Sequence, residues 1–277
     1  VGVRKQGEDM IMSDWLNIHD KVYVVTGGSS GIGLAIVEGL LEQGAKVANL
    51  DIRDSDLTHE RLLFIETNVA SHQAVKEAVA RVVEHFGTID GLVNNAGINI
   101  PSLLVDTKEE ASQYELDEAK FDKMVGINFK GLFFVSQEVA RVMATKGSGV
   151  IINMASEAGL EGSEGQSVYA ATKGAVYSLT RSWSKELAKH GIRVVGIAPG
   201  IMEATGLRTL AYEEALAYTR GKTVEELRAG YGNTSTIPLG RSGRLSEVAD
   251  LVCYYLSDRA SYITGVTTNV AGGKTRG

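Results

Sequence analysis

The 277-residue sequence predicts an α/β fold, a single doubly wound parallel sheet of about seven strands with helices on both faces. Three observations predict it. Short apolar runs rich in β-branched residues alternate with stretches whose apolar residues recur at helical spacing. The first of these runs ends in a glycine-rich turn from which a helical pattern starts. The chain also contains no internal repeat, low-complexity segment or linker, so the elements form one domain over 18–277, with 44% hydrophobic residues for its core.

The first strand is the run 21–26. It ends in Gly27-Gly28-Ser29-Ser30-Gly31-Ile32-Gly33, and a helix follows through Leu34, Ile36, Val37, Leu40 and Leu41. Glycines permit a tight turn and a close backbone approach, while a helix N-terminus offers free N–H groups and partial positive charge to phosphates. Strand, turn and helix in this order make a Rossmann-type site for a dinucleotide pyrophosphate, with Gly27, Ser29, Ser30, Gly31, Ile32 and Gly33 around it. The second strand, 46–50, ends in Asp51, about 20 residues past the glycines and placed for the adenosine ribose hydroxyls. A carboxylate there repels a 2′-phosphate and favours NAD over NADP, although Arg53 keeps NADP open and Asp51 alone also suits a strand-end turn.

A third strand over 62–67 leads into Asn68 and Val69, then a helix over 71–86 and a strand over 89–94. That strand ends in Asn94-Asn95-Ala96-Gly97, whose small and amide residues let a cofactor pass close to the sheet edge. Segment 98–118 is polar and reads as a loop with one helical turn. From Phe121 a long helix runs to about Lys146 and contains Asn128, which as a lone asparagine reads as exposed or capping. The apolar run 150–154 is a buried strand, and Ser156 stands just beyond its carboxyl end.

Tyr169 and Lys173 share one face of the next helix, 170–190, whose apolar side carries Ala175, Leu179, Trp183 and Leu187. A phenol titrates near ~10 and is a poor base, but a neighbouring ammonium favours the phenolate. The spacing proves little by itself, because Tyr218 and Lys222 repeat it, with no apolar strand before them and Gly221 between. The run 192–198 is a strand that stops at Pro199-Gly200. The charged stretch 201–245, with Arg208, Arg220, Lys222 and Arg228, reads as a substrate lid, its cations suited to an anionic substrate. A helix over 246–257 and a strand over 265–270 complete the chain.

Composition narrows the function. A net charge of −6 without a basic stripe argues against nucleic acid, and no run of eighteen apolar residues argues against a membrane, so a cytoplasmic protein is expected. The single cysteine, Cys253, lies in an apolar run and excludes an internal disulfide, and five scattered histidines argue against a metal. Residues 1–17 read as an N-terminal leader without assigned function, with Met12 as a start within it.

Taken together, Thr26-Gly27-x-x-x-Gly31-x-Gly33, Asn94-Asn95-Ala96-Gly97 and Tyr169-x-x-x-Lys173 resemble the motifs of the short-chain dehydrogenase/reductase superfamily, over 18–272. The resemblance implies a catalytic tetrad of Asn128, Ser156, Tyr169 and Lys173. Tyr169 would be the acid/base, Ser156 would polarise the substrate oxygen, Lys173 would hold the nicotinamide ribose and lower the tyrosine's pKa, and Asn128 would support a water-linked proton path. It also implies cofactor contacts from Asn68, Val69, Asn95, Ala96, Gly97, Pro199, Gly200 and Met202. The chain departs from the pattern at Asn68, where the family has an aspartate, and at Thr205, which falls one residue late.

Residues 159–166, 182–187 and 267–277 further resemble the bacterial sorbitol-6-phosphate 2-dehydrogenase group within that superfamily. This implies a polyol phosphate substrate, with Asn99, Glu157 and Glu161 on hydroxyls, Arg208 meeting the phosphate, and a homotetramer in which the tail 274–277 approaches a neighbour's site. The alternatives are a reductase of another carbonyl, such as a 3-oxoacyl thioester, and a nucleotide-binding regulator without turnover.

Overall fold

Seven strands, β1 (Val22–Thr26), β2 (Lys46–Asp51), β3 (Leu62–Glu66), β4 (Gly91–Asn94), β5 (Gly149–Met154), β6 (Ile192–Pro199) and β7 (Thr267–Val270), form one sheet in the order 3-2-1-4-5-6-7. Every neighbouring pair is parallel. The structure, a computed structural model, describes residues 15–275 apart from Ala111 and Leu207, so Met12, most of the predicted leader and the last two residues of the tail lie outside the described residues. Strand order reverses between β1 and β4, and the crevice beyond their carboxyl ends is where such sheets bind ligands.

Alternation along each strand builds two cores. Val22 and Val24 of β1 face one side while Tyr23 and Val25 face the other. On the first side lie α2 (His72–Phe86), α4 (Leu132–Lys146) and α6 (Ser167–Leu187); on the second, α1 (Gly31–Glu42) and α9 (Leu245–Leu256). Ends follow local chemistry. Ser71 caps α2 by accepting from the Ala74 N–H at 3.3 Å, and Gly87 closes it with φ 79°.

Two expectations are corrected. Among the described residues of 98–117 no helical turn forms; the loop instead makes parallel bridges from Ser102 to Gln166 and from Leu103 to Glu115. The helix read from Phe121 begins earlier, as α3 (Glu118–Val125), because the Asp117 side chain accepts from the Lys120 N–H. It passes through a π turn, Gly126–Gly131, before continuing as α4. Segment 201–245 carries two helices, α7 (Leu210–Thr219) and α8 (Val224–Tyr231), joined by a small core of Leu216, Ala217 and Leu227. The short α5 (Ala158–Glu161) lies between β5 and α6. Among the described residues no helix is long and apolar enough to cross a membrane, and no group of acidic, histidine or cysteine side chains is arranged to hold a metal. Cys253 is buried, as expected.

Ile151, in the middle of β5, is 0% exposed. Ile151→Ala is expected to lower the unfolding free energy by about 2–5 kcal/mol in urea denaturation, through lost burial and the cavity left behind.

Candidate active site

The crevice is held open by side chains that bond backbone. Thr26 Oγ1 accepts from the N–H groups of Asn95 and Ala96, both at 3.0 Å, tying the ends of β1 and β4 together. Asn95 Nδ2 donates to Gly27 O at 2.9 Å. Asn49, a lone polar residue in the apolar run of β2, accepts from the Gly28 N–H at 3.0 Å. Asp51 Oδ2 accepts from the Ser29 N–H at 3.0 Å. The turn itself requires glycine: Gly27 and Gly31 have φ of 66° and 55°, and a Cβ on Gly33 would stand 1.9 Å from Gly27 O.

A cleft of about 380 Å³ runs along this crevice. At one end it is lined by Asp51, Asn68 and Val69; then by Gly27, Ser30, Gly31 and Ile32; then by Asn95, Ala96 and Gly97; and at the far end by Ser156, Tyr169, Lys173, Pro199, Gly200 and Met202. The floor without Cβ atoms at the start of α1, with a carboxylate at the end of β2, fits a dinucleotide. Two of the predicted cofactor residues do not line the cleft. Ser29 is spent fastening the turn, its hydroxyl donating to Arg53 O and accepting from Asn49 Nδ2, and Gly33 packs beneath Gly27. Thr205 does reach the cleft, opposite Gly31, despite its shifted position.

At the far end, the first turns of α6 bring Tyr169 and Lys173 against the carboxyl end of β5. Lys173 is 6% exposed and its Nζ donates to Met154 O at 2.7 Å. Burial lowers its pKa to about 8. Its ammonium is 5.8 Å from the centre of the Tyr169 ring. Burial pushes the Tyr169 phenol up, and the negative charge of Glu157 adds to this, while a hydrogen bond from Ser156 pulls the other way. In the protein alone desolvation wins, and Ser156 provides the opposing contact. Asn128 lies behind the cleft, buried on the π turn. It accepts from the Ile98 N–H and donates to Ile98 O, each at 2.8 Å, and donates to Thr172 Oγ1 at 3.2 Å. A Cβ on Gly97 would sit 3.4 Å from Asn128 Oδ1 and 3.7 Å from Lys173 Nζ, so all four predicted tetrad residues gather around one end of the cleft.

The predicted substrate residues divide. Asn99 lines the cleft, and its Oδ1 is buried without a hydrogen-bond partner. Arg208 lines it as well; its Nη2 donates to Met202 O at 3.0 Å and its guanidinium stacks 4.3 Å from the Tyr231 ring centre. Glu157 is turned away, its carboxylate accepting from Lys274 and Thr275 at 2.8 and 2.7 Å. The other arginines of segment 201–245 also have partners: Arg220 donates to Ser163, Arg228 pairs with Glu213, and Arg241 and Arg244 pair with Glu247. Tyr218 fastens α7 to the loop before α3, donating to Asp106 Oδ2 at 2.7 Å and stacking on Tyr114. Sequence reasoning named Thr26 only within the nucleotide-turn motif and missed Asn49 and Tyr177, whose hydroxyl donates to Ser156 O at 3.2 Å. The isolated asparagine in an apolar strand was the available signal for Asn49.

The chain belongs to the short chain dehydrogenase family, whose model matches residues 21–215. Among its relatives, the sorbitol-6-phosphate 2-dehydrogenase of Klebsiella pneumoniae is 62% identical over 96% of this chain and 100% of the relative. The 3-oxoacyl-(acyl-carrier-protein) reductase FabG of Thermotoga maritima is 36% identical over 93% of this chain and 99% of its own. The solved 3-ketoacyl-(acyl-carrier-protein) reductase of Brucella melitensis, complexed with NADH, superposes with a TM-score of 0.78 at 27% identity, covering 94% of this chain and 100% of that one.

Buried Lys173 makes a stability prediction. Its folded pKa of about 8 lies below the ordinary 10.5, so folding disfavours the charged form. The penalty is full below pH 8 and fades as pH rises toward 10.5. Lys173→Met is therefore expected to stabilise the fold by roughly 1–2 kcal/mol at neutral pH, less than the full linkage value because Met154 O loses its donor. Thermal melting at pH 7 and pH 10 should show the gain shrinking at the higher pH.

Proposed function

We propose that this chain is an NAD-dependent dehydrogenase that interconverts sorbitol 6-phosphate and fructose 6-phosphate. The observation that carries the reading is the 62% identity, over the relative's whole length, to a sorbitol-6-phosphate 2-dehydrogenase. Oxidation of the C2 hydroxyl of sorbitol 6-phosphate gives the 2-keto sugar phosphate, fructose 6-phosphate. When bound, NAD supplies the hydride acceptor; the NADH-bound neighbour and the carboxylate of Asp51 support NAD over NADP.

In this mechanism Ser156 holds the C2 oxygen and Tyr169 takes its proton as the C–H bond yields its hydride. Lys173, anchored on Met154 O, orients the cofactor ribose and passes the proton onward, and Asn128 holds the backbone beside Lys173 in place. Arg208, held on the cleft wall by Met202 O and the Tyr231 ring, meets the phosphate, and Asn99 Oδ1 accepts from a sugar hydroxyl. Residues 201–245 act as the lid. A homotetramer is part of the proposal, supported by an apolar groove between α4 and α6 lined by Phe133, Ala140, Trp183 and Leu187.

The test is NADH formation from sorbitol 6-phosphate beside unphosphorylated sorbitol. Turnover confined to the phosphate ester supports the reading; turnover of an acyl thioester in its place would replace it. Tyr169→Phe should lower kcat by about 10²–10⁴ while NADH binding persists, as titrated by fluorescence. Arg208→Ala should raise KM for sorbitol 6-phosphate roughly tenfold or more, by loss of a charge-assisted contact, and leave KM for NAD unchanged. Because Tyr169 stays neutral at pH 7 through burial, reduction has its acid ready at neutral pH, whereas oxidation needs the phenolate and should accelerate as pH rises.

A further inference from the structure

The carboxyl ends of β5 and β6 border the far end of the cleft, β7 pairs beside β6, and one carboxylate sits among the loops that leave these strands. Glu157, directly after Ser156, accepts from Lys274 Nζ at 2.8 Å and from Thr275 Oγ1 at 2.7 Å. Lys274 also reaches Glu161 Oε2 on α5 at 3.4 Å. The Glu157 N–H donates to Pro199 O at 3.2 Å, and the Gly200 N–H to Val270 O at 3.0 Å. Space around Gly200 is tight: a Cβ there would lie 3.0 Å from Glu157 Oε2 and 2.8 Å from the Ala271 Cβ. The Leu239 N–H donates to Gly272 O at 3.1 Å, so the same C-terminal segment also bears on the end of the lid.

We propose that the C-terminal segment is a clasp of the active site: Lys274 and Thr275 grip Glu157, fix the Ser156 loop against the Pro199–Gly200 turn, and neutralise the carboxylate that stands one residue past Ser156. Glu157 and Lys274 are thus positioning residues rather than substrate contacts. The inference rests on the dehydrogenase reading above for its kinetic consequence and on geometry alone for its mechanical one. The groups that act on Tyr169 are Lys173 on its own helix, whose ammonium stands over the ring, Ser156 by hydrogen bond, and, through longer-range charge, Tyr212 from α7 and Glu157 from the loop after β5. Of these, Glu157 is the acid, and its charge pushes the phenol up. Lys274, paired with it, offsets that push.

Removing either half of the pair therefore has opposite effects. Lys274→Met leaves the carboxylate uncompensated, disfavours the phenolate and moves the rising limb of the oxidation profile to higher pH. Glu157→Gln leaves the ammonium uncompensated and moves it to lower pH. Each shift is expected to be about 0.5 pH unit, the scale of a half-buried charge coupling. The double variant should return close to the parent. A merely structural role would move neither limb, or both in one direction. The mechanical half is read on the protein alone by hydrogen exchange. In Lys274→Met the amides of Gly159, Leu160, Glu161 and Gly162 should exchange roughly fivefold faster, while those of α2 stay unchanged. Unchanged exchange over 159–162, or limb shifts of the same sign in the two single variants, would overturn the clasp. Failure of the parent chain to oxidise sorbitol 6-phosphate would count instead against the proposed function, and the exchange result would still decide the clasp.

Discussion

A line of buried amides and hydroxyls sets the register on which the rest of the molecule depends. Asn94 at the end of β4 donates to Ser136 Oγ on α4 at 2.8 Å and to Asn153 Oδ1 on β5 at 2.9 Å. Asn153 in turn donates to Thr180 Oγ1 on α6 at 3.1 Å. All four side chains are buried, where an unmade hydrogen bond costs far more than a made one contributes, so a slipped helix is heavily penalised. Apolar packing alone tolerates small slides of a helix over a sheet. This polar line does not, and it runs through both helices that frame the candidate active site: α6 carries Tyr169 and Lys173, and α4 continues the helix that holds Asn128.

From that register the electrostatics of the site follow. Lys173 is drawn into a nearly dry position with one carbonyl for company, which pulls its pKa down toward neutrality. Tyr169 is driven the other way by the same desolvation and keeps its proton. A neutral acid beside an amine whose pKa is lowered to about 8 is a suitable start for proton transfer in either direction. At the opposite wall segment 201–245 offers Arg208, held in place by a carbonyl and an aromatic face, while its fellow arginines are spent on Ser163, Glu213 and Glu247.

Features that depend on local pattern were legible in the sequence. The seven strands and the glycine turn each show in a few neighbouring residues, and the Tyr169–Lys173 pair is told from its copy at Tyr218 and Lys222 by the apolar strand before it. What depends on distant partners was not legible. Glu157 read as a substrate contact because nothing near it announces Lys274, 117 residues away. Tyr218 read only as a decoy, since its role depends on Asp106, 112 residues earlier in the chain. Nor does the sequence around Asn128 announce the π turn that carries it, because nothing in Gly126–Gly131 sets that stretch apart from the helix on either side. The burial that raises the Tyr169 phenol was not legible for a related reason: adjacency on a helix shows Lys173, whereas burial depends on the assembled fold.

The central claim is hydride transfer from C2 of a phosphorylated polyol, and the direct measurement uses sorbitol 6-phosphate carrying deuterium at C2. The account predicts deuterium in the reduced nicotinamide, fructose 6-phosphate free of the label, and slower turnover than with the unlabelled substrate under single-turnover conditions. Label retained in the sugar, or reduced nicotinamide formed without it, would contradict the assignment of Ser156 and Tyr169 to the C2 oxygen.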